Sequence, residues 1–338
     1  MRAIFSMLFG AGVVLFAERA EARGLSAAKL HYRRTFWLAV FGCLHAYLLW
    51  YGDILFLYSV CGAIVFWSRK WPPRRLIVVG VVLLAVGSLA FVFFGLSMPS
   101  WPPEEQREFV EKDWRPTPER LEAELAAYRG GWLAQMDKRA PTAFEFQTFF
   151  LVVWGFWRAS GMMLLGMALY KLGVFSASRD GRFYGRMFAA GGLAGLALAA
   201  YGVRWQFANE WGPTSMFLGT QFNYWGSVAA SLGWVGAVML VCRSGAFGWL
   251  RERLAAVGQL AFSNYILHTV LGTAIFYGHG LGLFGSVERT GQIAMVFAIW
   301  ALQLALSPAW LRRFRYGPLE WLWRGLTYGQ LQPLRRAA

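Results

Sequence analysis

In this chain, chemistry has to be sought among the few polar side chains set inside apolar runs, because burying such a group without a partner costs several kcal/mol. His45 precedes Trp50-Tyr51-Gly52-Asp53. An imidazole whose tautomer is fixed by a carboxylate is the arrangement of a general base. A straight helix would separate His45 from Asp53 by about 12 Å, so the pair can form only if Gly52 turns the chain back. Asp53 also has a plainer use, capping the helix that follows by accepting its first amides.

His268 is tenth of the 19 residues in the run Gln259 to Tyr277. Asn264 lies one turn earlier on the same helical face, and Gly272 continues that face where a neighbouring helix could approach closely. At that depth an imidazole could accept a proton, relay one, or carry an acyl group transiently; a simple interhelical hydrogen bond is the alternative. Arg158 sits near the middle of a 27-residue apolar run, where an arginine costs about 2.5–3.5 kcal/mol on insertion scales. It should therefore face the protein interior, against a substrate phosphate or carboxylate, against Asp53, or against carbonyls at a helix break near Gly155 or Gly161. Glu145 lies 13 residues earlier, about 20 Å along the axis, too far to be its partner.

The elements that must position these residues follow from composition. Of 338 residues, 57% are hydrophobic and 15% charged, with 18 Trp and 28 Phe. No water-surrounded core of this length hides so much apolar surface, so the natural solvent is a lipid bilayer. With about 20 apolar residues needed per helical crossing, nine spans are expected: Ile4 to Ala17, Thr35 to Tyr51, Ile54 to Trp67, Leu76 to Met98, Phe144 to Tyr170, Met187 to Val203, Met216 to Cys242, Gln259 to Tyr277 and Ile293 to Trp310. The expected fold is an all-α polytopic membrane helix bundle, a single embedded domain over 1–338.

The connecting segments give an independent test, because Lys and Arg accumulate in cytoplasmic loops. Segments 18–34, 68–75, 171–186, 243–253 and 311–338 hold 22 basic and 5 acidic residues, whereas the alternate segments hold 9 basic and 12 acidic. The two sets alternate without exception. This places the carboxyl end in the cytoplasm and the amino end, as written, outside. Basic residues dispersed in short loops argue against nucleic acid as a partner. Segment 99–143 is read as an extracytoplasmic amphipathic insertion whose helix starts at Thr117-Pro118 and presents Leu121, Leu125, Tyr128 and Trp132; it either rests on the interface or forms a lid. Segment 311–338 reads as a cytoplasmic interfacial tail.

Other patterns carry less. Gly280-Leu-Gly-Leu-Phe-Gly285 matches GxGxxG without a βαβ context and reads as a turn. Gly191 and Gly195 read as close helix packing. His31 and His279 are expected at water-facing edges, and Cys43, Cys61 and Cys242 as packing residues. No zinc pair, phosphate loop or nucleophile elbow is present, and no metal site is expected.

The stretches Phe5-Ser-Met-Leu-Phe-Gly-Ala-Gly12, His45-Ala-Tyr-Leu-Leu-Trp-Tyr-Gly-Asp-Ile-Leu55, Phe262-Ser-Asn-Tyr-Ile-Leu-His268 and Tyr316-Gly-Pro-Leu-Glu-Trp-Leu-Trp-Arg-Gly-Leu-Thr-Tyr328 resemble the YeiB-like family, domain of unknown function 418. The resemblance covers nearly the whole chain outside 99–143. It implies a bacterial plasma-membrane protein distantly similar to membrane acyltransferases, with acyl-CoA as a possible co-substrate and no permanently bound cofactor. Members of that family usually begin with a further span carrying a Leu-Asp-x-x-Arg-Gly block, which would make ten. His45, Asp53 and His268 fall on family motif positions.

Three functions follow as expectations. An acyltransferase would use His45 or His268 to move a proton or an acyl group to a lipid, glycan or small-molecule acceptor, with Asp53 and Asn264 in support and Arg158 binding negative charge. A transporter or exporter of an anionic or amphiphilic solute would use Arg158 as counter-charge and His268 for coupling. A scaffold would do neither.

Overall fold

The computed structural model describes residues 2–336. Among them the chain is all-helical: α1 (Arg2–Glu21), α2 (Ala27–Leu48), α3 (Leu55–Val65), α4 (Pro73–Ser97), α5 (Pro103–Phe109), α6 (Pro118–Arg129), α7 (Met136–Gln147), α8 (Phe156–Lys171), α9 (Gly181–Ala208), α10 (Thr220–Ser244), α11 (Gly248–Gln259), α12 (Ala261–Phe276), α13 (Arg289–Arg313) and α14 (Pro318–Tyr328). No strand forms among the described residues; Phe314 and Arg335 make an isolated bridge. Six stretches are candidate membrane-spanning helices by length and apolar character: Arg2–Glu21, Pro73–Ser100, Met136–Lys171, Gly181–Ala208, Pro213–Ser244 and Arg289–Arg313. A seventh is added if α11 and α12, bent by 83° at their junction, form one broken span.

Each of the nine apolar stretches falls on helix, yet three are not crossings by a single long apolar helix. α3 has 11 residues, about 16 Å of helix, against a hydrocarbon layer of about 30 Å. α2 has 22 residues, but its first two turns carry Lys29, His31, Arg33 and Arg34. The stretch at Gln259 contains α12 with only 16 residues. Conversely, the run expected from Phe144 is helical from Met136, through a π segment at Leu151–Gly155.

The chain groups into two compact units. The first comprises Met1–Leu25, Cys61–Thr117 and Phe150–Ala246. Small residues set its packing. Gly10 of α1 lies against the Met163 carbonyl of α8, and Gly166 of α8 against the Met7 carbonyl of α1, so neither site has room for a Cβ. Gly191 and Gly195 of α9 meet Gly233 and Ala230 of α10, where a Cβ would stand 2.5 Å and 2.7 Å from backbone nitrogens. Met7, Leu84, Met162 and Tyr184 fill the core between these helices.

The second unit comprises Ser26–Val60, Pro118–Phe149 and Phe247–Ala338. Segment 99–143 is therefore divided, with its first part in the first unit and α6 with α7 here. Of the four residues expected on the inner face of α6, only Tyr128 is buried, and Leu121 is exposed. The carboxyl-terminal stretch contains α14, tied to α2 by Trp323 Nε1 donating to the Arg34 carbonyl (2.9 Å) and Arg33 Nη2 to that of Leu326 (2.9 Å). α14 and α12 cap each other. The Glu320 carboxylate accepts from the Phe262 and Ser263 amides at 2.7 and 3.0 Å, while Ser263 Oγ accepts from the Leu319 amide at 3.1 Å. The positive end of the α12 dipole thus faces a carboxylate. Within α13, Pro308 has no N–H for the Leu304 carbonyl, and Arg253 Nη1 of α11 supplies the missing donor at 3.0 Å.

Smaller expectations are corrected as well. His31 is buried, at 2% exposure, because α2 turns it inward, while His279 is exposed. Cys61 is a buried packing residue, but Cys242 is exposed.

Candidate functional site

α2 ends where the amides of Leu49 and Trp50 both return to the His45 carbonyl, at 3.0 and 2.9 Å. The next residues reverse direction. Gly52 lies under the Trp50 indole so closely that a Cβ would stand 2.5 Å from the ring, which explains glycine there by close approach. Asp53 then comes back over the end of α2. Its Oδ2 accepts the Phe56 amide at 2.8 Å, capping the first turn of α3, and its Oδ1 lies 2.9 Å from His45 Nδ1. The capping and pairing roles, alternatives in the sequence, are held by the two oxygens of one carboxylate.

Both side chains are almost fully buried, 1% exposed for His45 and 2% for Asp53. An ionised carboxylate can only accept, so the proton of a neutral His45 sits on Nδ1 and Nε2 keeps its lone pair. Nε2 faces the Thr269 hydroxyl at 3.0 Å. Tyr265, one turn before Thr269 on α12, accepts the Ile54 amide at 3.3 Å and lies with its hydroxyl 3.5 Å from Asp53 Oδ1. Its ring packs 5.0 Å from the imidazole. An imidazole is thus oriented by a carboxylate on one nitrogen and presents the other to an exchangeable hydroxyl.

Gly42 packs directly against the turn that carries Asp53. A Cβ there would collide with the Phe56 amide and stand 2.9 Å from Asp53 Oδ2.

Within the same unit, Trp132 and Arg139 also hold the end of α2. Trp132 Nε1 donates to the Leu48 carbonyl at 2.7 Å, and Arg139 Nε to that of Tyr47 at 2.8 Å. These carbonyls belong to the last turn of α2, where helices lack internal donors. Arg139 is completely buried. Nearby, the Tyr128 carbonyl accepts the Gly278 amide at 2.9 Å, and burial, with Tyr51 and Glu124, raises the Tyr128 phenol well above its ordinary pKa.

The other candidates lie apart from this pair. Asn264 turns its side-chain amide nitrogen to Ser307 Oγ (3.1 Å) and the Val257 carbonyl (3.2 Å), and its backbone carbonyl accepts from Gln303 Nε2 (3.0 Å). No hydrogen bond joins it to the half-buried His268. Gly272 faces open space, with nothing within 4 Å of an added Cβ, so no helix closes on that face. Arg158 belongs to the first unit, where Nη1 donates to the Tyr224 carbonyl (3.1 Å), Nη2 to Ser227 Oγ (2.7 Å), and the guanidinium stacks 4.1 Å over the Tyr224 ring. It ties α8 to α10.

Thr269, Tyr265 and Arg139 were not singled out from the sequence. Tyr265 stands within the Phe262–His268 motif, and its i, i+4 relation to Thr269 was the available signal; Arg139 gave none, lying among the charges of a polar segment.

A family model described as "Protein of unknown function (DUF418)" matches residues 169–330. The uncharacterised protein YeiB of Escherichia coli is 30% identical over 96% of this chain and 80% of its own length. This chain belongs to the DUF418 family. The uncharacterised protein YxaH of Bacillus subtilis is 29% identical over 98% of this chain and 80% of its own length, and an uncharacterised 39.9 kDa protein of Bacillus acidopullulyticus is 25% identical over similar shares. No solved structure matches the chain. The DUF418 match includes Tyr265, Thr269 and Glu320, whereas His45 and Asp53 precede it.

Proposed function

We propose that this DUF418 protein is a membrane-embedded acyltransferase in which His45 is the general base. The observation that carries the reading is the buried His45–Asp53 pair, with Nε2 directed at a hydroxyl. An acceptor hydroxyl or amine takes the place of Thr269 on Nε2 and gives up its proton there as its oxygen or nitrogen bonds to the acyl carbon. The thioester C–S bond of an acyl-CoA donor breaks, and the proton on His45 leaves with the thiolate as thiol. Asp53 holds the tautomer and stabilises the imidazolium that forms. Asn264, His268 and Arg158 have no step in this scheme. The chain crosses a bacterial plasma membrane nine times, with α2, α3 and α12 counted as crossings, and its carboxyl end lies in the cytoplasm; the loop charges support this orientation. The bilayer and a lipid, glycan or small-molecule acceptor are its partners.

The test uses purified protein, labelled acetyl-CoA and a panel of sugar, lipid and amine acceptors. His45→Gln should reduce transfer or thioester hydrolysis at least about 100-fold, and Asp53→Asn by about 10²–10⁴, with both variants folded. Undiminished turnover in His45→Gln, or flux of a solute in proteoliposomes with no covalent change to it, removes the acyltransferase reading.

A further inference from the structure

Between α12, α13 and the start of α14, next to the junction with α11, the second unit contains a partly open cavity of about 650 Å³. Leu260, Leu267, Leu306 and Phe314 line its walls, and Trp310 stacks 4.2 Å from Phe314. Three uncharged polar side chains lie in the lining: Ser263, whose hydroxyl is taken up by Glu320 and the Leu319 amide, and Asn264 and Ser307, already joined to each other. Because Ser307 accepts in that bond, its hydroxyl hydrogen is left to donate. Arg312 and Arg313 stand at the rim, both exposed and neither paired with an acid among the described residues. The cavity is therefore apolar within and doubly cationic at one end, a complement to an amphiphile with an anionic head.

The surrounding helices fix the depth of such a guest. α11 leaves Trp249 67% and Leu254 53% exposed, with Phe247 just before it at 69%, while Arg251 and Arg253 lie on the same short helix. Exposed aromatics beside arginines characterise a helix lying in the headgroup layer. At Leu260 the chain bends by 83° into α12, and α13 ends at Arg313, where apolar sequence gives way to charge. The rim is thus at headgroup level and the walls run toward hydrocarbon.

We infer that this cavity is a binding site for an anionic phospholipid, its phosphate between Arg312 and Arg313 and one acyl chain between α12 and α13. The inference is independent of the acyltransferase reading, since it uses neither His45 nor Asp53. Near an anionic headgroup, each arginine is worth about five-fold in affinity, and the pair about thirty-fold.

The experiment uses the full chain in nanodiscs and two photoactivatable phospholipids with identical diazirine chains, a phosphatidylglycerol and a phosphatidylcholine. The phosphatidylglycerol should crosslink to peptides containing 260–267 and 306–314, well above the phosphatidylcholine. Arg312→Gln with Arg313→Gln should lower that crosslinking about thirty-fold, and Ala309→Trp, which fills the cavity without touching the charges, should also lower it. The double variant alters exposed side chains, so its thermal unfolding should match the parent's. Equal labelling by both lipids, indifference to the arginines, labelling spread evenly over the apolar helices, or competition by glycerol phosphate as strong as by the lipid would each overturn the site.

Discussion

The His45–Asp53 pair is the contact of this protein in which the residue types were legible and the geometry was not. Their identities announced a general base, but sequence spacing alone left them about 12 Å apart; the 2.9 Å contact depends on a turn sterically closed under the Trp50 ring. The pairing with Thr269 was not legible because the two residues are 224 positions apart, and the Thr269 hydroxyl, 3.0 Å from His45 Nε2, also lies 3.4 Å from the Tyr265 carbonyl of its own helix, the contact a threonine in an apolar run ordinarily makes. Its role makes a prediction. Thr269→Val keeps the shape and removes the hydroxyl, leaving His45 Nε2 buried without a partner, which costs about 1–3 kcal/mol. Thermal unfolding in detergent should show the loss, and Thr269→Ser should restore most of it. A valine variant as stable as the parent would mean that Nε2 is satisfied in some other way. Arg158 illustrates the opposite case. Its depth in an apolar run left a ligand and backbone carbonyls both open as partners, and here a carbonyl, a hydroxyl and a ring on α10 lie against the guanidinium.

Among elements, each of the nine apolar runs falls on helix, whereas α5, α14 and all but the last residue of α11 lie outside those runs, and neither lengths nor breaks follow from apolarity. Nothing in composition distinguishes one long helix from two joined at a bend, so the apolar run Gln259 to Tyr277 contains α12 and only the last residue of α11. Apolar periodicity also says nothing about which glycines touch a neighbour. Gly42 and Gly272 sit on α2 and α12, the two helices that supply the site, and look equivalent in the sequence. Gly42 has the Phe56 amide and Asp53 Oδ2 against it, while Gly272 has open space. Gly42→Ala should therefore destabilise the fold by about 1–3 kcal/mol through overpacking and displace Asp53 from the α3 cap. Gly272→Ala should be neutral or stabilising, since alanine is favoured over glycine within a helix by about 0.5–1 kcal/mol. Equal effects of the two substitutions on the unfolding temperature would show that the α2–α3 turn is looser than its contacts indicate.

For the whole molecule, the same sequence supports two kinds of order that arise separately. Partition into two compact units is discontinuous, each unit being assembled from three stretches of chain, and no local signal announces it because it depends on which helices meet. Orientation in the bilayer is different: it is set by loops, and the alternation of 22 basic and 5 acidic residues against 9 and 12 can be read directly. Among the described residues six helices satisfy the length and apolarity of a crossing unaided, so the proposed nine depend on whether α2, α3 and α12 cross as well. The parity of crossings between two loops decides their sides. With Cys43, Cys61 and Cys242 replaced by alanine, single cysteines at Ala22, Ser100 and Leu331, all exposed positions, separate the possibilities. Three crossings lie between Ala22 and Ser100 in the proposed arrangement, so a membrane-impermeant maleimide should label Ser100→Cys in intact cells and reach Ala22→Cys and Leu331→Cys only after permeabilisation. If α3 does not cross, that number falls to two and the cysteines at 22 and 100 become reactive on the same side, which would also place the basic segment 18–34 against the positive-inside expectation.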